Sequence, residues 1–277
     1  MKRRILAIFV VLALLAGAAV AVYAETGTVT ITGGVRSVTP ANVTMSAVTL
    51  DGTAQLSTSA AASNNWSATD ATATGAGWNA TIISTDFGID EVQQVDIGTS
   101  TGGTFTLTFS GQTTASIAYN ASAATVDSSL EALSNIIDVT VTGTGTSGDP
   151  WVVTFVDPGK QNVAEMTSTD SLTGGSSTIS TTTQGRTIDI SSVDQEFKIQ
   201  LLDANITVTS GNTKPTSTVT TLTAIPETGG PLKFVSAALD EGMGTYAINP
   251  NFELEVPADT FAGTYTAIFT VAIVSGP

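Results

Sequence analysis

The fold class follows from a short stretch in which apolar and polar residues alternate, Phe105-Thr106-Leu107-Thr108-Phe109. Successive side chains of a strand point to opposite faces, so this alternation gives an apolar face for a core and a threonine face for water. The same period of two recurs at 28–32 and 43–50, and clusters of Gly, Asn, Asp and Ser divide the runs. We therefore predict a mainly β protein whose antiparallel sheets form a sandwich or barrel.

One segment breaks this pattern and predicts a helix over about residues 123–133. Ser122 is a suitable N-cap residue, and Val126, Leu130 and Leu133 fall at positions i, i+4 and i+7. That spacing places three apolar side chains on one face. We expect this helix to cover an open face of a sheet.

The N-terminus has the features of a secretory signal peptide. Three basic residues, Lys2, Arg3 and Arg4, precede an apolar run that ends near Val22, and Ala24 offers a small residue for cleavage. We predict that residues 1–24 are removed and that the protein is secreted to the cell surface or wall. The alternative is a retained anchor, because the apolar run is close to the minimum length that spans a bilayer.

The composition bounds the chemistry. The net charge of the chain is −15, and removal of residues 1–24 takes away three basic and no acidic residues, which leaves −18. Such a surface repels nucleic acid, which we do not expect as a partner. The chain contains no histidine and no cysteine, so the commonest general base, the usual nucleophile pairs and ordinary zinc sites are excluded. We predict a protein that is not an enzyme.

The sequence also predicts a discontinuous domain. Its composition shifts near Gly88 and near Gly185, and residues 166–185 are rich in Ser, Thr and Gly. We interpret 25–88 and 186–277 as one β host domain, a sandwich or barrel. Residues 89–185 would then form an inserted small β-sheet module that carries the helix.

Two pairs of motifs in the host domain suggest a family. They are Trp66-Ser67-Ala68-Thr69-Asp70 with Gly75-Ala76-Gly77-Trp78-Asn79-Ala80, and Phe252-Glu253-Leu254-Glu255-Val256-Pro257-Ala258 with Ala262-Gly263-Thr264-Tyr265. This pattern resembles the WxL domain of bacterial cell-surface proteins. It departs from the family at Ala80, where a Leu is usual, and at Val271-Ala272-Ile273, where a Trp is missing. The resemblance implies non-covalent attachment to the cell wall, with Trp66, Trp78, Asp70 and Tyr265 as candidate wall-binding residues.

The tryptophans have a second interpretation. Exposed aromatic rings could stack on the sugars of a wall polymer, whereas buried rings would be core residues of adjacent strands. We favour the core for Trp78 and leave both interpretations open for Trp66.

The inserted module resembles a repeat of large secreted bacterial and phage-related proteins. The likeness rests on Gly102–Phe109, Gly111–Thr114, Ile117–Ala123 and Leu130–Leu133. It implies a compact β-sheet with one helix and no chemistry of its own.

The sequence demands no cofactor, and calcium is the one ion considered. Asp86, Asp90, Glu91 and Asp194 would cluster if the two ends of the insertion meet, and oxygen-rich loops can hold this ion. The alternative is a set of solvated carboxylates.

Three functions follow from these patterns. The first is a non-catalytic structural protein of the cell surface, held non-covalently by wall polymer or by other surface proteins. The second is a self-assembling subunit of a surface layer or extracellular filament, joined through strand-like terminal segments. The third, which we consider the weakest, is a glycan-active enzyme that uses a pair of carboxylates.

Overall fold

The computed structural model describes residues 29–59, 61 and 64–277, so the predicted signal peptide at 1–24 lies outside the described residues. The chain divides into two compact units, Met1–Gly33 and Gly34–Pro277. Residues 29–33, the described end of the first unit, contain no helix or strand, so the strand predicted over 28–32 is wrong for its described residues, 29–32. The second unit is mainly β with antiparallel sheets, as the alternating sequence predicts.

The described residues include twenty-two strands, one α-helix and a short 3-10 helix. The strands are β1 (Arg36–Thr39), β2 (Gln55–Ser59), β3 (Trp66–Asp70), β4 (Trp78–Ser84), β5 (Phe87–Ile89), β6 (Val92–Asp96), β7 (Gly102–Phe109), β8 (Gln112–Thr113), β9 (Ile117–Ala118), β10 (Asp138–Thr142), β11 (Trp151–Asp157), β12 (Thr167–Thr173), β13 (Thr178–Thr183), β14 (Arg186–Ile188), β15 (Phe197–Gln200), β16 (Ile206–Gly211), β17 (Thr216–Ser217), β18 (Thr223–Ala224), β19 (Leu232–Ala237), β20 (Gly244–Ile248), β21 (Asn251–Val256) and β22 (Phe269–Ser275). The α-helix is α1 (Ala123–Glu131), and the 3-10 helix spans Asp203–Asn205.

Three four-stranded sheets contribute to the first hydrophobic core. Their strand orders are β1-β3-β20-β16, β18-β15-β21-β2 and β17-β19-β4-β22. Trp66 of β3 joins all three, because the centre of its indole lies 5.6 Å from the ring of Phe252 in β21, 6.0 Å from Phe234 in β19 and 5.5 Å from Phe269 in β22. Ring contacts at these separations add to the free energy gained by burial alone.

Two further sheets and the helix enclose a second hydrophobic core. The sheets have the orders β10-β11-β6-β13 and β12-β7-β8, and β9 also pairs with β7. Phe105 and Phe109 of β7 stack on Trp151 and Phe155 of β11 at 5.3 and 5.0 Å, so the two sheets pack face to face. The alternating stretch 105–109 is therefore part of a strand with one buried face, as predicted.

Helix α1 begins where the sequence places it. The Ser122 hydroxyl accepts a hydrogen bond from the Thr125 backbone N–H at 3.2 Å, which satisfies one of the free amides of the first turn. Val126 and Leu130 are buried on the predicted apolar face. The helix ends at Glu131, two residues before the predicted end, and Leu133 is buried just beyond it. No helix in the described part of the chain is both long and apolar enough to cross a membrane.

The two cores draw on different parts of the chain. The buried residues of the first fall within 66–82 and 188–256, and those of the second fall within 95–166. Strands β5 and β14, which flank the second set in sequence, pair with each other from Phe87↔Ile188 to Ile89↔Arg186. The domain boundaries at 88 and 185 stay a prediction.

The strand predicted over 43–50 is wrong. The segment contains no strand, although Val43, Met45, Val48 and Leu50 pack against the first core. The alternation of burial fails at 46 and 47, which are both exposed. The pattern in the sequence therefore indicates which side chains are buried, and not that a hydrogen-bonded ladder forms.

Candidate functional site

The ring of Trp66 lies inside the first core, and its side of β3 faces away from water. Its exposed fraction is 1%. Its Nε1 donates to the carbonyl of Ala41 at 3.1 Å, so the one polar atom of the ring has a partner there. In this fold, no wall polymer can stack on the ring.

Trp78 is also a core residue, as the sequence favours. Its exposed fraction is 0%, and its Nε1 donates to the carbonyl of Gly242 at 2.8 Å. The glycine that precedes it has a structural cause. Gly77 has a φ of +67°, and a Cβ at that position would lie 2.5 Å from the carbonyl oxygen of Ala237. Gly77 thus allows its own backbone to approach that of Ala237 closely.

Asp70 is buried, and its carboxylate contacts other residues of the protein. One carboxylate oxygen lies 3.0 Å from a guanidinium nitrogen of Arg36, and the other accepts from the backbone N–H and the hydroxyl of Thr72 at 2.9 and 2.6 Å. Burial by itself would raise the pKa of Asp70, but the hydrogen bonds from Thr72 and the charge of Arg36 outweigh it and hold the pKa below its ordinary value. Asp70 therefore ties β1 to the end of β3 as a charged group.

Tyr265 is half-buried, and its hydroxyl donates to the carbonyl of Phe261 at 3.1 Å. Burial raises the pKa of this phenol above its usual range, although the charge of Arg186 and the hydrogen bond at Phe261 lower it. Of the four wall-binding candidates, Tyr265 alone lines an open groove, and Trp66, Trp78 and Asp70 lie in the interior.

The sequence did not reveal this groove. Its volume is about 870 Å³, and the segments 42–50 and 260–267 form its two sides. Its floor is the apolar edge of the first core, with Phe197, Leu254 and Phe269. None of its lining residues carries a charge. The alternation within 43–50 is the sequence feature that relates to this groove, and it predicts a strand rather than the wall of a groove.

The four predicted calcium ligands do not form a common cluster of carboxylates among the described residues. Asp90 accepts from the backbone N–H of Lys160 at 2.9 Å, and buried Glu91 accepts from Gln93 Nε2 and the backbone N–H of Val163 at 2.7 and 2.9 Å. Asp194 is exposed. Both Asp90 and Glu91 therefore fix loops of the second core.

Of the four predicted ligands, Asp86 is the one that belongs to a cluster of three carboxylates among the described residues. It comes together with Asp189 and Glu227, with one oxygen of each within 4.8 Å of the others. One Asp86 oxygen also accepts from the backbone N–H of Ile190 at 2.9 Å. These three carboxylates have the oxygen chemistry that calcium prefers, but exposed acidic groups also meet in proteins without a metal.

Comparison with known proteins gives partial matches and no family. No family model matches the chain. A stretch of 80 residues is 42% identical to a tail sheath protein of Mycobacterium phage Bxz1, and it spans 28% of this chain and 13% of that protein. A solved structure from Mycobacterium phage Patience covers 58% of this chain and 55% of its own at 20% identity, with a TM-score of 0.25. Neither match assigns a fold or a family to this chain, and the likeness to WxL proteins stays a prediction.

Proposed function

We propose that this chain is a secreted, non-catalytic structural protein that assembles with copies of itself into a surface layer or extracellular filament. The observation that carries the proposal is the similarity of an 80-residue stretch to a phage tail sheath protein, a protein of a phage tail. The match covers a small part of that protein, so it supports a structural role and names no particular assembly.

The placement of the candidate residues supports assembly over attachment through tryptophan. Trp66 and Trp78 pack in the core and Asp70 holds two strands together, so these three residues already have structural roles. The edge strand β22 pairs with β4 on one side, and Val274 on it is 48% exposed. Edge strands with exposed apolar residues are the usual places where one chain adds to another.

Two experiments test this proposal. Fractionation of the source cells should find the protein outside the cytoplasmic membrane and release it with denaturant, whereas recovery in the cytoplasm would contradict secretion. Light scattering of the purified chain from Glu25 onward, with and without calcium, should show growth with concentration. A strictly monomeric chain under both conditions would contradict self-assembly.

A further inference from the structure

We propose that residues 29–33 of a second copy lie in the groove between segments 42–50 and 260–267, with Val29 and Ile31 against its apolar floor. This inference rests on the proposed function, because it names the contact through which copies would join. The occupant is a segment of this same chain, and three observations on the groove and on the segment favour it.

The wall of the groove offers backbone that is ready for an added strand. Within 42–50, Ser46 alone takes part in a backbone-to-backbone hydrogen bond among the described residues, from its N–H to the carbonyl of Thr58 at 2.8 Å. The Ser46 carbonyl also accepts from the Ser57 hydroxyl at 2.6 Å. The segment therefore lies beside β2, and most of its peptide groups have no backbone partner among the described residues. Unpaired peptide groups next to a strand can pair with an added strand.

The proposed occupant carries unusually exposed apolar side chains. Val29 is 81% exposed and Ile31 is 79% exposed. Val35, which follows at the same even spacing, is 75% exposed. Among the described large hydrophobic residues, these three are among the four most exposed, and in an extended chain all three fall on one face. Burial of these three side chains in an apolar groove would favour association, because it removes apolar surface from water.

Charge explains why this pair of surfaces can meet in so acidic a protein. Two copies of the chain from Glu25 onward, each with a net charge of −18, repel each other over most of their surface. The groove has no charged lining residue, and residues 29–33 contain none either. Contact between them brings no like charges together and buries no unpaired charge.

Substitution of the two stripe residues tests the contact. In the chain from Glu25 onward, Val29→Thr with Ile31→Thr keeps the length and strand propensity of the segment but removes its apolar face. The matched control is Val193→Thr with Ile137→Thr, which changes two similarly exposed residues, at 78% and 72%, elsewhere. We expect the concentration at which assembly begins to rise roughly a hundredfold for the first variant, since each lost apolar contact weakens association by on the order of tenfold. The control should assemble like the unmodified chain.

Disulfide cross-linking tests whether residues 29–33 lie in the groove of a second copy. The natural sequence contains no cysteine, so only the introduced thiols can react. One population carries Thr30→Cys and another carries Ala47→Cys on the wall of the groove. Because neither chain holds both thiols, a disulfide between the two variants can form only between copies. The comparison is Thr30→Cys mixed with Ser128→Cys, a residue of α1 that lies away from the groove. We expect the first mixture to give the linked pair and the second to give far less.

The outcomes separate the two claims. Loss of assembly in the stripe variant alone, together with the selective cross-link, supports the inference. If the stripe variant assembles like the unmodified chain, or if the two mixtures cross-link equally, the inference is overturned and the proposed function stands. If the unmodified chain does not assemble, both are overturned.

Discussion

Substitution of Asp70 by Asn should destabilise the first core even though the two side chains have nearly the same shape. Asn can still accept the hydrogen bonds from Thr72, but it leaves the guanidinium of Arg36 without a counter-charge. The carboxylate is fully buried, and the Arg36 side chain is 12% exposed. Removal of one partner of a buried ion pair costs about 3–5 kcal/mol, and the partial exposure of Arg36 places this case near 3 kcal/mol.

Urea unfolding at neutral pH measures this loss as a change in the free energy of unfolding with an unchanged slope. Asp138→Asn, which removes an exposed carboxylate from β10, should change the same quantity by less than about 0.5 kcal/mol. The pair Asp70→Asn with Arg36→Met should recover part of the loss, because no buried charge then lacks a partner. A loss below about 1 kcal/mol for Asp70→Asn alone would refute the structural role of this carboxylate.

The stability that Asp70 contributes should also depend on pH in a definite direction. The pKa of Asp70 in the folded protein lies below its ordinary value of 3.8, so its charged form contributes stability above that value. This contribution disappears as the pH falls through the folded pKa. The difference between the natural chain and Asp70→Asn should therefore shrink below pH 3.8, and a difference that stays constant would contradict a stabilising role for the charge of Asp70.

Three further predictions concern the tryptophans and helix α1. Trp66, Trp78 and Trp151 are at most 1% exposed, so the tryptophan fluorescence should be blue-shifted and weakly quenched by acrylamide. The fluorescence spectrum should not change when cell-wall polymer is added, and a shift on addition would indicate that a tryptophan ring binds the polymer. Leu130→Ala should lower the free energy of unfolding by about 2–5 kcal/mol through the cavity left under α1, and a loss below about 1 kcal/mol in urea unfolding would contradict its packing. Ser122→Ala should cost about 1 kcal/mol in the same assay, because a first-turn amide loses its cap, and Ser122→Gly should cost less.

The sequence predicts most reliably where a local pattern has a local cause. The alternation in 105–109 and the apolar spacing of Val126 and Leu130 both record which side chains meet a core, and both elements form. The same kind of alternation in 43–50 does not produce a strand, because a strand also needs a partner along its backbone. Within 43–50, Ser46 alone has a backbone hydrogen-bond partner among the described residues. The period of apolar residues in the sequence therefore predicts which side chains are buried. Whether the segment forms a strand depends on whether another backbone segment lies next to it.

The candidate sites were harder to predict because their partners lie far away in the sequence. Asp86 meets Asp189 and Glu227, more than a hundred residues away, whereas the nearby Asp90 and Glu91 bind backbone amides of the second core. The sequence around these acidic residues does not indicate which of them meets other carboxylates and which binds backbone amides. The groove could not be predicted for the same reason, since its two sides come from 42–50 and 260–267.

Electron microscopy of the purified chain from Glu25 onward, over a range of concentrations, tests self-assembly most directly. We expect layers or filaments with a regular subunit repeat, and we expect them to disappear when Val29 and Ile31 are both changed to Thr. A natural chain that stays as dispersed single particles at every concentration, with and without calcium, would contradict self-assembly.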